Sequence, residues 1–151
     1  MEDKIAEDYV SYETAKLLKE KGFESDECIA IYDLGDNNAF IRDGGIFENG
    51  PEDYLEFQWG EEWRRFGYCL APTIQMAMKW LREKHNITVL PGVRIPHAVC
   101  GKIESYWVGI WYVPKNNGGA LCFTSPTPEN GYLTYEEACE AGIKYALKSL
   151  I

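Results

Sequence analysis

The sequence predicts an α+β fold: an antiparallel sheet of about four to five strands and three helices, in the order α-ββ-α-βββ-α. Three observations carry that expectation. Three segments repeat apolar residues at helical spacing and have recognisable caps. One long run between Ser105 and Val113 alternates its side chains at the period of a strand. Between the strand-like runs lie short Asn/Gly turns, which suit antiparallel neighbours because a parallel crossover needs a dozen or more residues. The helices are expected mainly on one face of the sheet. At 151 residues the chain is long enough for one core, and it reads as a single α+β domain spanning 1–151.

The first helix runs from Tyr12 to about Lys21. Ser11 is placed to accept from an orphan N–H of its first turn, Ala15, Leu17 and Leu18 form the apolar side, and Gly22 can take the left-handed conformation that closes it. Residues 28–33 (Cys28-Ile-Ala-Ile-Tyr-Asp33) have strand character. Gly35 to Asn38 is turn chemistry, and Ala39 to Arg42 returns as the other half of a hairpin. Residues 43–68 are broken repeatedly by glycine and proline yet carry Phe47, Tyr54, Phe57, Trp59, Trp63, Phe66 and Tyr68, so this stretch is expected to pack over a core.

Pro72 sits where a helix's first turn tolerates a missing N–H, and a helix is expected from there to about Lys84. Ile74, Ala77, Met78 and Leu81 form its stripe, with Met76 and Trp80 widening the arc. Ile87 to Leu90 reads as a strand stopped by Pro91-Gly92, and a further piece near Val93 to Val99 is interrupted by Pro96. In the strand from Ser105, Tyr106, Val108, Ile110 and Tyr112 point one way, and Trp107, Gly109, Trp111 and Val113 the other. Both sides are apolar, which suits a strand covered on both faces. Asn116 to Gly119 turns the chain into Ala120–Thr124. Thr134-Tyr-Glu-Glu137 is a capping box opening the last helix, which runs to about Ser149 with Ala138, Cys139, Ile143, Ala146 and Leu150 inward.

Composition excludes several roles. The formal charge is −9, from 24 acidic and 15 basic side chains. Nucleic acids are held by Lys and Arg neutralising phosphates, so direct binding to DNA or RNA is not expected. The longest strongly apolar stretch, Tyr106 to Val113, is far short of the ~20 residues of a membrane helix, so no membrane role is expected. Met1 to Asp8 is acidic and polar, unlike a secretory leader. With the odd number of five cysteines, this suits reduced thiols in a cytoplasm.

Three segments together raise a resemblance. They are Ser11-Tyr-Glu-Thr-Ala-Lys-Leu-Leu-Lys-Glu-Lys-Gly-Phe23, Ala71-Pro-Thr-Ile-Gln-Met-Ala-Met-Lys-Trp-Leu-Arg-Glu-Lys-His-Asn-Ile87 and Tyr135-Glu-Glu-Ala-Cys-Glu-Ala-Gly-Ile-Lys-Tyr-Ala-Leu147. They resemble small accessory proteins of phages, prophages and mobile elements of gut bacteria that have no assigned activity. The likeness covers the helices, about a third of the chain, and implies no catalytic residues.

Chemistry-bearing constellations are sparse. His97 and Cys100 are the one close His/Cys pair, the minimum for a thiol nucleophile with a base, and Glu104 could orient the base. No C-x-x-C or paired His spacing supports zinc, and no metal or cofactor is expected. The acids Glu61-Glu62 and Glu52-Asp53 beside tryptophans suit a solvated face better than a sugar-cleaving pair. Trp59, Trp63, Trp80, Trp107 and Trp111 are the candidate binding residues, because indoles are enriched at interface hot spots. Gly109 leaves a gap between Trp107 and Trp111 that a side chain or ligand could fill. The reading is a non-enzymatic interaction protein that binds a protein partner, or its own copy, through an aromatic surface. The alternatives are a small hydrolase or transferase using Cys100 and His97, and an acidic mimic of nucleic acid.

Overall fold

A computed structural model describes residues 8–35, 40–42, 52, 55–56, 67–94, 105–116 and 118–151. These contain three helices of nine or more residues and six strands. All of the strand pairing is antiparallel, so the fold is α+β. The strands lie in two sheets of three rather than in one sheet of four or five. The chain divides into two compact units, Tyr9–Thr73 and Met1–Asp8 with Ile74–Ile151.

In the first unit, α1 (Tyr12–Glu20) begins at Ser11, whose hydroxyl accepts from the Thr14 N–H. It ends as the sequence suggests. Gly22 has φ of +84°, and the Phe23 N–H reaches back to the Leu18 carbonyl at 2.9 Å, closing the last turn with Phe23 buried beside it. Strand β1 (Ala30–Asp33) pairs with β2 (Phe40–Arg42), placing Ile31 opposite Ile41. A third strand, β3 (Tyr68–Leu70), pairs with the other side of β1 and puts Ile31 opposite Leu70. This strand follows directly on the stretch that sequence reading leaves without an element. Three residues are too few to display a period. The buried Asp33 carboxylate accepts from the Gly35 N–H at 2.8 Å, which turns the chain at the end of β1.

The second unit opens with α2 (Ile74–His85), whose buried stripe is the expected Ile74, Ala77, Met78 and Leu81. It starts two residues later than Pro72 because the Pro72 carbonyl is taken by the Val10 N–H and Thr73 bridges to Tyr9. Strand β4 (Ile87–Arg94) runs straight through Pro91-Gly92, where sequence reading places a stop. Its partner β5 (Ser105–Tyr112) lies between β4 and β6 (Cys122–Thr124), so β4 is an edge among the described strands. The Val108 N–H donates to Thr127 at 2.9 Å and its carbonyl accepts from Ser125 at 2.7 Å. Both backbone groups of Val108 therefore face the β6 side. Pro91, opposite Val108, sits in a pair that exchanges no bonds, and its nitrogen faces the free edge. The missing N–H costs the sheet nothing.

Helix α3 (Tyr135–Ser149) is capped by Thr134, which accepts from the Glu137 N–H at 3.1 Å. The return bond of the predicted capping box shifts by one residue: the Glu137 carboxylate accepts from the Leu133 N–H. Helix α3 lies very close to the sheet at Gly142, where a Cβ would stand 2.7 Å from Val89 Cγ1 and 2.8 Å from Val108 Cγ2. Val89, Val108 and Ile110 are thereby sealed against Ala138, Cys139, Ile143 and Ala146, all buried.

Candidate interaction surface

The alternation of β5 works as expected on one face only. Val108 and Ile110 lie under α3, but Trp107 and Trp111 remain 40% and 39% exposed on the opposite face. The expectation that both faces of this strand are covered does not hold. The reason lies in the registers. Antiparallel partners share a face, and Trp107, Gly109 and Trp111 stand opposite Gly92, Leu90 and Thr88, with Phe123 beside Trp111. The two described helices of the unit pack against each other and on the other side of the sheet, which leaves this layer half-exposed.

Glycines shape the surface. A Cβ on Gly92 would collide with the Trp107 indole, so that ring lies down across the neighbouring strand. A Cβ on Gly109 would stand 2.6 Å from Phe123 Cε2 and 3.0 Å from Trp107 Cζ3. The gap that Gly109 leaves is thus filled from within, by Phe123 and Trp107. Phe123 in turn meets Trp111 with ring centroids 4.9 Å apart and planes at 50°, a favourable tilted geometry. Phe123 is 51% exposed and Leu90 42%. With side chains of ~150–250 Å², the four residues present roughly 350 Å² of apolar surface. That matches the ~300–600 Å² of a typical monomer's largest patch, which is often functional.

The face, not the edge, is the surface offered. Pro91 interrupts the donor row along β4, which blunts addition of a further strand there. On the other side, Ser125, Thr127 and Tyr132 already take up the backbone of β5 beyond β6.

Of the five indoles singled out from sequence, the structure brings together Trp107 and Trp111. Trp80 is half-buried on α2, edge-on to His85 at 4.6 Å, on a helix packed against β4 and α3. Trp59 and Trp63 lie outside the described residues, as do His97 and Cys100. Three described thiols are shifted away from the lowered value a nucleophile needs. Burial pushes both Cys69 and Cys139 up to about 11, and raises Cys28 as well. No group of three or more metal-ligating side chains occurs among the described residues. No described helix is long and apolar enough to cross a membrane.

The structure also assembles an aromatic row in the first unit that sequence reading misses. Tyr9, Phe40, Tyr32 and Tyr12 succeed one another at centroid distances of 5.2, 5.3 and 5.6 Å, and the Lys16 ammonium lies 5.4 Å over the last ring. These rings come from three segments of chain, so no local pattern announces them. The Tyr32 hydroxyl is fixed on the Val10 carbonyl at 2.8 Å.

No family model, curated protein or solved structure matches this chain.

Proposed function

We propose that this chain is a non-enzymatic interaction protein, an accessory factor of a bacterial or phage-infected cytoplasm, that binds a protein partner or a second copy of itself through the open face of β4–β6. One observation carries the reading: Trp107, Trp111, Phe123 and Leu90 form a continuous half-exposed layer on the face that α2 and α3 leave free. Indoles that expose this much surface in an ordered array are the residues that dominate binding energy at interfaces. The patch is smaller than the ~800 Å² per side of a stable complex, so it serves as the apolar centre of a larger contact. The net charge of −9 favours a partner with a basic rim.

The test is the double variant Trp107→Ala with Trp111→Ala. Sedimentation velocity reads self-association, and affinity capture with mass spectrometry reads partners specific to the wild type. The variant is expected to lose the association while its melting temperature falls by roughly 4–8 °C, a cost of ~2 kcal/mol in a chain of this size. Unchanged association, or a collapse of the fold, removes the proposal.

A further inference from the structure

The aromatic layer ends in a cavity with a different chemistry. Arg94 and Ser105 are opposite each other at the last rung of the β4–β5 ladder, on the same face as Trp107. The cavity beside them holds about 200 Å³ and is lined by Arg94, Ser105, Trp107, Thr127, Glu129 and Gly131, among others. That is the volume of roughly six or seven waters at ~30 Å³ each. It is below the ~300–1,000 Å³ of sites for drug-sized ligands, and fits one side chain or its equivalent.

Three features give the cavity a preference. Ser105 is only 5% exposed, and its hydroxyl has no hydrogen-bond partner among the described residues. A buried hydroxyl left in that state is destabilising, so a ligand atom that bonds to it recovers free energy. Gly131, at φ +71°, passes close against Ser105, since a Cβ there would stand 2.6 Å from the Ser105 Oγ, so the hydroxyl lies at the inner end of the cavity. Arg94 donates through Nη1 to the Glu129 carbonyl at 3.0 Å, which anchors the guanidinium at the cavity and leaves further N–H groups of its planar fork for a carboxylate. Trp107 supplies an apolar wall shared with the open layer. Thr127 does not compete for the ligand, since its hydroxyl is engaged on both backbone groups of Val108.

We propose that this cavity binds a carboxylate presented beside an apolar side chain by a protein partner, the charge seated between Arg94 and Ser105 and the apolar side chain against Trp107. The proposal rests on the interaction reading and specifies the partner's anchor. Glu129 is the acidic side chain of the lining, and its negative charge opposes the ligand.

The experiment follows the Trp107 indole N–H and the Arg94 Nε–H of the full chain by NMR during titration. The probes are 3-phenylpropionate and its uncharged amide. The acid is expected to shift both signals saturably and the amide not. Arg94→Gln should weaken the acid by about tenfold or more, as loss of a charge-assisted contact does, and Glu129→Gln should tighten it. Ser105→Ala should weaken binding without lowering the melting temperature, because it removes an orphan hydroxyl. A purely structural serine would move only the melting temperature. Two peptides then separate the sources of the carboxylate: acetyl-Gly-Phe with a free terminus, and acetyl-Glu-Phe amide with an acidic side chain. Binding of either supports the proposal and names the source. Binding of neither overturns it, as does equal binding of acid and amide. If the probes fail while the Trp107/Trp111 variant still loses its association, the cavity proposal falls and the interaction reading stands. The reverse pattern removes the interaction reading instead.

Discussion

Gly142 and Gly109 face opposite sides of the same small sheet, and replacing each with alanine should give different answers. On α3 a Cβ at Gly142 meets Val89 Cγ1 at 2.7 Å and Val108 Cγ2 at 2.8 Å, well inside the ~3.5–4.0 Å optimum for carbon contacts. Both neighbours are fully or nearly fully buried and β-branched, so neither can swing away. Overpacking of this kind costs ~1–3 kcal/mol, and the rigid neighbours argue for its upper half. Alanine recovers ~1 kcal/mol of helix propensity, leaving a net loss of about 1–2 kcal/mol for Gly142→Ala. At Gly109 the Cβ meets Phe123 Cε2 at 2.6 Å and Trp107 Cζ3 at 3.0 Å, but these are the far ends of half-exposed rings. Turning such a ring off its rotamer costs ~0.5–1.5 kcal/mol, and a strand glycine replaced by alanine returns ~0.5–1 kcal/mol. Gly109→Ala should therefore change stability by less than about 1 kcal/mol while altering the near-ultraviolet signal of the displaced indole. Urea unfolding of both variants at low protein concentration, with the slopes compared, measures the difference. An equal loss in the two variants would refute the claim that one face is sealed and the other open.

Three further outcomes can be checked. Thr134→Ala removes the acceptor for the Glu137 N–H and should cost ~1 kcal/mol, a fall of about 2–4 °C in melting temperature. Pro91→Thr restores a donor on the free edge of β4, and sedimentation should detect concentration-dependent association beyond that of the wild type; an unchanged profile would show that the edge is closed by something else. Cys69 and Cys139 have folded values pushed by burial from 9.0 to about 11. The fold favours the protonated thiol, so this contribution is complete below the ordinary value and is lost as pH rises from about 9 to about 11. The double variant Cys69→Ala with Cys139→Ala should have a shallower alkaline stability profile. It keeps the loss due to Tyr68, Tyr132 and Tyr135, whose hydroxyls burial also raises.

The helices were legible because their determinants are local. Ser11, Gly22 and Thr134 act within one turn of themselves, and the stripe Ile74, Ala77, Met78, Leu81 is a periodicity that survives any tertiary context. The long strand from Ser105 was legible for the same reason. The α+β class and antiparallel pairing follow from those segments and from the short turns between them. Other features depended on which residues became neighbours. The three residues of β3 acquire strand geometry only because β1 offers a free side, and Pro91 stays within β4 only because Val108 turns its backbone groups toward Ser125 and Thr127. The division of six strands into two sheets follows from such pairings. Side-chain alternation showed that Trp107 and Trp111 share a face, but not that both helices of their unit would be committed to the other one. That commitment is a property of packing: Gly142 brings α3 onto Val89 and Val108, and no described helix of that unit is left for the indoles. The cavity at Arg94 and Ser105 required the ladder to end there and Gly131 to pass beside it, a meeting of three segments that nothing local in the chain encodes.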